Sequence, residues 1–262
     1  GELVVKSLNL TGGVASGSSP ADRGGAVYVN GGKYNTHRAA IWGNRANYGG
    51  GISTGNGSTT KLVETFIAYN NAKDDATSGG TGGGIYSNSA LFVFDSIIEQ
   101  NSGSGTYGDG GGVYCGEGGE CKISNTTIQH NEASRAGGGI YGTSIVSVIS
   151  SSVRNNKALG DEGIQGTWMG GGGLYIERQG ILTVVKSTLQ ANDASSGNGH
   201  EIFTFKDGTS RPTTFVMNTV VDNSASASVA GLGGCSGSNG FCTPQSCSAA
   251  LTQCEENGYP NA

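Results

Sequence analysis

Apolar and polar positions along this chain recur as two half-motifs that follow each other repeatedly. The first is a glycine cluster followed by an aliphatic residue, as in Gly82-Gly83-Gly84-Ile85. The second is an aliphatic residue with asparagine three positions later, as in Ile98 and Asn101. The pair occurs seven times at intervals of about 25 to 36 residues. A period of this length predicts a solenoid of stacked, similar coils.

Short alternating or β-branched runs lie between the two half-motifs, and they predict strands. Leu91-Phe92-Val93-Phe94 is one example. Helical repeats need few glycines, whereas 49 of the 262 residues are glycine. We therefore predict an all-β fold, a single-stranded right-handed parallel β-helix of about seven to eight coils. Each coil should contain two or three short strands, and the hand is taken from the usual rule for parallel crossovers.

The recurring asparagine has a structural explanation. At one corner of each coil, an inward Asn side chain can bond its own turn and the Asn of the next coil. The result is a ladder with the strand spacing of about 4.8 Å. The predicted rungs are Asn44, Asn70, Asn101, Asn131, Asn156, Asn192 and Asn223. We assign these residues to the fold and not to a functional site.

The paired motif also resembles a known repeat. G-G-[AG]-[IV] followed by [IVF]-x-x-N is similar to the repeat of the polymorphic outer-membrane proteins, bacterial autotransporter-type adhesins, and related extracellular β-helices. The resemblance covers about residues 24–223. It implies the β-helix fold and an extracellular setting, but it is weak for function, since function belongs to sites grafted on folds. The chain departs from that family in carrying six cysteines.

The repeats divide the chain into a β-helix over residues 1–223 and a segment over 224–262 that reads as a Gly/Ser linker with a cysteine-rich C-terminal cap. Because the chain begins in mid-pattern, we expect a mature or excised piece. The cysteine count is even and no Cys-x-x-Cys pair exists, so disulfides are favoured over zinc. Cys115 and Cys121 flank a short loop that a disulfide would close. The pairing of the other four stays open: Cys235, Cys242, Cys247 and Cys254.

Composition narrows the compartment and the partners. The formal charge is −5 and only 13% of residues are charged, which argues against nucleic acid as a partner. No apolar run approaches the ~20 residues needed to span a bilayer. We expect a secreted or cell-surface protein without metal or cofactor. Three N-glycosylation sequons begin at Asn9, Asn56 and Asn125.

Insertions concentrate at one corner of the predicted coil. The distance from the glycine-motif aliphatic to the asparagine-motif aliphatic is 13 to 15 residues in six of the seven copies, whereas the distance from Asn to the next glycine-motif aliphatic varies from 8 to 18. Stacking places these loops side by side, as in solenoids that build a binding surface from one edge. The candidate ligand-binding residues are Asp74, Asp75, Tyr107, Asp109, Glu132, Arg135, Asp161, Glu162 and Trp168.

An aromatic residue follows the aliphatic in most glycine motifs, with Ser53 as the exception. If the aliphatic points inward, alternation turns these rings outward as a ladder. Such a ladder would either bind a glycan along the rod or stabilise the fold by stacking. Its members are Tyr28, Tyr86, Tyr114, Tyr141, Tyr175 and Phe203.

Two classes of function remain open at this stage. We favour a binding, adhesion or structural module whose partners are glycans or other extracellular proteins, including copies of itself assembled end to end or side by side. The alternative is a polysaccharide lyase, hydrolase or epimerase on a pectin-lyase-like β-helix. Hydrolysis needs two carboxylates about 5 to 9.5 Å apart. Neighbouring coils offer Asp95 with Glu64, or Glu177 with Glu201, although neither pair forms a recognisable motif.

Overall fold

In the computed structural model, the chain forms a parallel β-solenoid. The structure describes residues 1–73, 79–160, 169–177, 179–195 and 199–204, together with the backbone of four short strands within 213–242. The all-β parallel solenoid is confirmed. A complete turn contains four strands, however, and not the two or three predicted. The described residues form six complete turns, fewer than the seven to eight predicted, with partial turns at both ends.

The strands follow one another in chain order. The first partial turn contains β1 (Glu2–Lys6) and β2 (Asn9–Thr11). The next three turns contain β3 (Val27–Val29), β4 (Gly32–His37), β5 (Ala40–Trp42), β6 (Arg45–Ala46), β7 (Ile52–Thr54), β8 (Ser58–Val63), β9 (Phe66–Ala68), β10 (Asn71–Lys73), β11 (Ile85–Ser87), β12 (Ala90–Phe94), β13 (Ile97–Glu99) and β14 (Ser102–Ser104).

Three further complete turns contain β15 (Val113–Cys115), β16 (Glu120–Ser124), β17 (Thr127–Gln129), β18 (Glu132–Ala133), β19 (Ile140–Gly142), β20 (Ile145–Ile149), β21 (Ser152–Arg154), β22 (Lys157–Ala158), β23 (Leu174–Ile176), β24 (Ile181–Val185), β25 (Thr188–Gln190) and β26 (Asp193–Ala194). The last strands are β27 (Ile202–Thr204), β28 (Thr213–Val216), β29 (Thr219–Val221), β30 (Val229–Ala230) and β31 (Phe241–Cys242).

Four sheets run along the solenoid axis. The long-strand sheet has the order β1-β4-β8-β12-β16-β20-β24-β28, and the next sheet along each turn has the order β2-β5-β9-β13-β17-β21-β25-β29. The short-strand sheet joins β6, β10, β14, β18, β22 and β26. The glycine-motif sheet starts at β3 and ends with β27, β30 and β31. Every described pairing is parallel except the one between β30 and β31.

The core consists of aligned inward rows of aliphatic side chains. Ile67 pairs in register with Ile41 on one side and with Ile98 on the other, and all three are fully buried. Similar rows fill the long-strand and glycine-motif sheets. Alternation along each short strand then places the intervening residues outside. Cys115 and Cys121 point into this core and form the predicted disulfide.

The asparagine ladder is present from Asn44 to Asn192. The side-chain oxygen of each rung accepts from the backbone N–H and the side-chain amide of the preceding rung; for Asn101 as acceptor and Asn70 as donor these distances are 3.0 and 2.9 Å. The third glycine, which is present in five of the motifs, makes room for this ladder. A Cβ on Gly84 would lie 2.7 Å from a backbone oxygen of the next turn and 3.1 Å from the amide of Asn101.

A second polar ladder, which was not predicted, lies at the corner before each asparagine corner. Its rungs are buried hydroxyls, and each one after the first accepts from the backbone N–H of the preceding rung. Thr65 N–H donates to Ser96 Oγ at 3.0 Å, and that hydroxyl donates to the carbonyl of Phe94 at 2.6 Å. The full set is Thr65, Ser96, Thr126, Ser151 and Ser187. Each lies five residues before a ladder asparagine, so the pattern was present in the sequence.

The C-terminal end of the asparagine ladder differs from the prediction. Glu201 replaces the third glycine of its motif, is fully buried, and accepts from the N–H and the side-chain amide of Asn192. The acceptor expected from Asn223 thus comes from Glu201, and Asn223 itself lies outside the described residues. In the predicted cap, only the backbones of β30 and β31 are described. Cys242 lies on β31, whereas Cys235, Cys247 and Cys254 lie outside.

Candidate binding edge

The insertion loops leave the coil after the short-strand sheet, at the edge where the glycine-motif sheet begins. We call this the loop edge, and its described parts are residues 79–81, 105–109, 134–136, 159–160 and 169–170. Isolated bridges continue the stacking through these loops, from Asp109 to Ala136 and from Ala136 to Gly170. The loop ends are therefore fixed by backbone hydrogen bonds to neighbouring turns.

Three of the nine candidate residues come together at this edge, namely Tyr107, Asp109 and Arg135. A fourth, Glu132, lies on β18 with an exposed side chain, in register with Lys157 of the next turn. It does not contact the cluster through any interaction that we observe. The remaining five lie outside the described residues: Asp74, Asp75, Asp161, Glu162 and Trp168.

Arg135 and Asp109 form a two-point ion pair. The Nε of Arg135 donates to Oδ1 of Asp109 at 2.7 Å, and Nη2 donates to Oδ2. Only 3% of Asp109 is exposed. Burial raises the pKa of its carboxyl to about 6, against the opposing effect of Arg135. Burial by itself would lower the pKa of Arg135, but the hydrogen bonds and charge of Asp109 more than offset this effect, so the guanidinium stays protonated.

Tyr107 is the exposed member of this cluster. Its side chain is 45% exposed, and the guanidinium carbon of Arg135 lies 5.4 Å from the centre of its ring. Its carbonyl accepts from the hydroxyl of Thr81 at 2.8 Å. A cation on one side of the ring and a hydrogen bond to its backbone hold this tyrosine at the surface. The loop edge thus presents an aromatic ring on a rigid, charged base.

The aromatic ladder is stacked as predicted. Tyr86, Tyr114, Tyr141, Tyr175 and Phe203 follow one another with ring centres 4.9 to 5.2 Å apart and planes within 15°. Tyr28 is not in this stack, because its register partner Ser53 interrupts the row. The gap at Ser53 is filled by Tyr48, whose ring meets Tyr86 edge-on at 5.3 Å and carries the guanidinium of Arg23 at 4.8 Å. Neither Tyr48 nor Arg23 was predicted from the sequence, because neither belongs to a repeated motif.

Three of these rings do not offer an open face to a ligand, which favours the stacking role over glycan binding for them. Tyr86, Tyr141 and Tyr175 are at most 8% exposed. Ala136 of the loop edge packs on Tyr141 and Tyr175, so the loops cover the stack. The hydroxyl of Tyr141 donates to Oε2 of Glu177 at 3.0 Å, and burial raises the pKa of Tyr141. The rings therefore form a second small core between the loop edge and the glycine-motif sheet.

The carboxylate pairs considered for hydrolysis are engaged elsewhere. Glu64 accepts from Nε of Arg38 at 2.7 Å, and this hydrogen bond lowers the pKa of Glu64, opposite to the shift that a general acid needs. Oδ1 of Asp95 accepts from Nδ2 of Asn125, on the same outer corner, at 2.5 Å. Glu201 is sequestered in the asparagine ladder, while Glu177 bonds the tyrosine stack.

The remaining predicted sites are surface features. Asn9, Asn56 and Asn125 are all exposed, which a glycosylation acceptor requires. Within the described residues, no group of three His, Cys, Asp or Glu side chains is arranged to hold a metal ion. The same part of the chain contains no helix that is long and apolar enough to cross a membrane. Comparison with protein-family models, with curated proteins and with solved structures returned no significant match.

Proposed function

We propose that this protein is an extracellular binding module that recognises glycans through the loop edge. The observation that carries the proposal is the cluster at the loop edge: the exposed ring of Tyr107 lies over Arg135, and Arg135 is held by its ion pair with Asp109. Backbone bridges between neighbouring turns hold this loop in place. An exposed ring packs against the C–H face of a sugar, and the guanidinium of Arg135 beside it can donate its remaining N–H groups to hydroxyl or carboxylate substituents. A preformed base lowers the ordering cost of binding.

Two further observations support the extracellular setting. The Cys115–Cys121 disulfide is of a kind that persists in oxidising compartments. The repeats are similar to those of the polymorphic outer-membrane proteins and related extracellular β-helices, which matches a surface or secreted scaffold. We therefore extend the proposal to secretion or cell-surface display, with glycans or other extracellular proteins as partners.

A glycan array probed with the wild-type protein tests this function, and Tyr107→Ala is the informative variant. The matched control is Tyr69→Ala, because Tyr69 is 56% exposed and has a left-handed backbone that Ala191 adopts at the equivalent corner. Binding that is lost in Tyr107→Ala and kept in Tyr69→Ala supports the loop edge. No binding to any glycan, or binding that Tyr107→Ala leaves unchanged, would overturn it. Cleavage of a bound glycan would instead favour the enzymatic alternative.

Self-assembly is a second candidate, and the first turn carries it. Strand β1 is the edge of the long-strand sheet, and 56% of Leu3 and 49% of Val4 are exposed there. A cavity of about 340 Å³ opens beside them, lined in part by Val27 and Tyr34. Strand addition from another copy would cover these groups. Sedimentation over a wide concentration range tests this: association that Leu3→Lys abolishes supports it, and a monomer throughout refutes it.

A further inference from the structure

The outer face of the long-strand sheet presents lysine side chains, unlike the loop edge. Leu62 and Ile123 of this sheet are fully buried, so the residues before them, Lys61 and Lys122, face outward. Register places the outward residues of successive turns in one row along the solenoid axis. From the second turn onward this row, which we call the lysine row, reads Asn35, Lys61, Phe92, Lys122, Ser147 and Thr183.

The lysine row is basic on an acidic protein. The outward positions of this sheet carry four lysines, Lys6, Lys33, Lys61 and Lys122, against two glutamates, Glu2 and Glu120, although the whole chain has a net charge of −5. Within the residues that the structure describes, neither Lys61 nor Lys122 forms an ion pair. Both ammonium groups thus remain available to an anionic ligand.

The spacing within the row suits a regular chain. Lys61 and Lys122 stand on either side of Phe92, two strand spacings or about 10 Å apart. The ring of Phe92 is partly exposed between them, and Nζ of Lys61 lies 5.7 Å from the ring centre of the neighbouring Phe94. Two cations with an aromatic surface between them match a polymer that alternates acid groups and apolar sugar faces. Ser147 and Thr183 extend the row with hydroxyl groups, whereas the amide of Asn35 donates to Oε1 of Glu2 at 2.5 Å.

The borders of the face decide what shape of ligand fits. Acidic residues flank the lysine row on both sides: Glu64 and Asp95 occupy one corner, and Glu117 and Glu120 lie toward the other. A broad anionic surface such as a lipid bilayer would meet these carboxylates at the same time as the lysines. A single linear chain along the row from Lys61 to Thr183 follows register positions that include no carboxylate.

We propose that the lysine row binds a linear anionic polysaccharide, of the polyuronate class, laid along the solenoid axis. The ammonium groups of Lys61 and Lys122 pair with carboxylates of the chain, and Phe92 contacts the sugar ring between them. The site is on a different face from Tyr107 and does not depend on the function proposed for the loop edge.

Calorimetric titration with alginate oligomers, a linear polyuronate, tests the proposal. Carboxyl-reduced alginate supplies the neutral control of the same chain. The informative variant is Lys61→Gln/Lys122→Gln. The control variant is Lys73→Gln, which removes one positive charge from an exposed position on the short-strand sheet. We expect binding to wild type that weakens with salt, a loss of about tenfold or more in the double variant, and no change in Lys73→Gln or Tyr107→Ala. Phe92→Ser should weaken binding without altering its salt dependence.

Four results would overturn the proposal. These are no binding of alginate at low salt, equal binding of the carboxyl-reduced polymer, an equal loss in Lys73→Gln and the double variant, or tighter lysine-dependent binding to phosphatidylserine vesicles than to alginate. The last result would assign the face to a membrane surface. Loss of glycan-array binding in Tyr107→Ala with retained alginate binding would confirm that the two surfaces act separately.

Discussion

The backbone N–H of Asn192 donates to Oε1 of Glu201 at 3.3 Å, and its side-chain amide donates to Oε2 of the same carboxylate. Every earlier rung directs the same two donors at the side-chain oxygen of the next asparagine. The ladder is therefore directional, and the described part ends on two donors that need acceptors. A carboxylate accepts at both oxygens and donates at neither, so both donors of Asn192 have an acceptor.

We expect Glu201→Gln to destabilise the protein by about 1–3 kcal/mol, because one of its side-chain atoms becomes a donor that faces a donor of Asn192. Urea unfolding measures the change. The matched control is Glu132→Gln, which makes the same substitution at an exposed position and should alter stability by less than about 0.5 kcal/mol. Equal effects of the two substitutions would refute a terminating role for Glu201.

The two polar ladders should differ in strength. Asn101→Ala leaves the N–H and side-chain amide of Asn70 without their acceptor, and we expect a loss of about 3 kcal/mol or more. Ser96→Ala, in the same turn, leaves the backbone N–H of Thr65 without its acceptor and should lower the free energy of unfolding by about 1 kcal/mol. Chemical denaturation of both variants gives the comparison. If Ser96→Ala proves the more damaging, the hydroxyl ladder and not the asparagine ladder sets the register of the turns.

Much of this fold was predictable because its repeats encode neighbour contacts that are identical from turn to turn. The spacing of the glycine and asparagine motifs was sufficient to predict the solenoid and the ladder through Asn192. The closing of the loop between Cys115 and Cys121 followed from their local spacing. Glu201 was not predictable in its role, because it occupies a glycine position of the motif and its partner Asn192 lies only nine residues earlier, outside the ladder spacing.

The site was predicted less completely, for a physical reason. Length variation identified the loop edge, and stacking brought Tyr107, Asp109 and Arg135 together. Strand alternation correctly placed Tyr141 outside the main core, but alternation cannot show what covers an outward residue. The cover comes from Ala136, a small loop residue without any pattern of its own. Tyr48 fills the gap at Ser53 from a different part of the turn, and it belongs to no motif that would have predicted this position.

The tyrosine stack should contribute mainly through packing. We expect Tyr141→Ala to cost about 3–5 kcal/mol, because it opens a cavity between two stacked rings under the loop edge. Tyr141→Phe keeps the ring and removes only the hydrogen bond to Glu177, so its cost should be about 1 kcal/mol. Thermal or urea unfolding distinguishes the two, with Tyr69→Ala as the exposed control. A similar loss in both Tyr141 variants would show that the hydroxyl, and not the ring, holds the loops.

Asp109 should impose a specific pH dependence on stability. Its folded pKa of about 6 lies above its ordinary value of 3.8, so the folded state binds the proton more tightly than the unfolded state. The stability that this group contributes is complete below about pH 4 and is lost as the pH rises through about 6. At about 1.4 kcal/mol for each pKa unit, the loss amounts to at most about 3 kcal/mol.

Asp109→Asn isolates this contribution, since the asparagine cannot titrate. The variant keeps a neutral polar side chain beside Arg135 at every pH, so titration of this carboxyl contributes nothing to its stability. The diagnostic quantity is the difference in unfolding free energy between wild type and Asp109→Asn, measured by urea titration from pH 4 to pH 8. We expect the wild-type advantage to shrink as the pH rises toward 7. An advantage that grows over this range would mean that Arg135 outweighs burial and holds the pKa of Asp109 below its ordinary value.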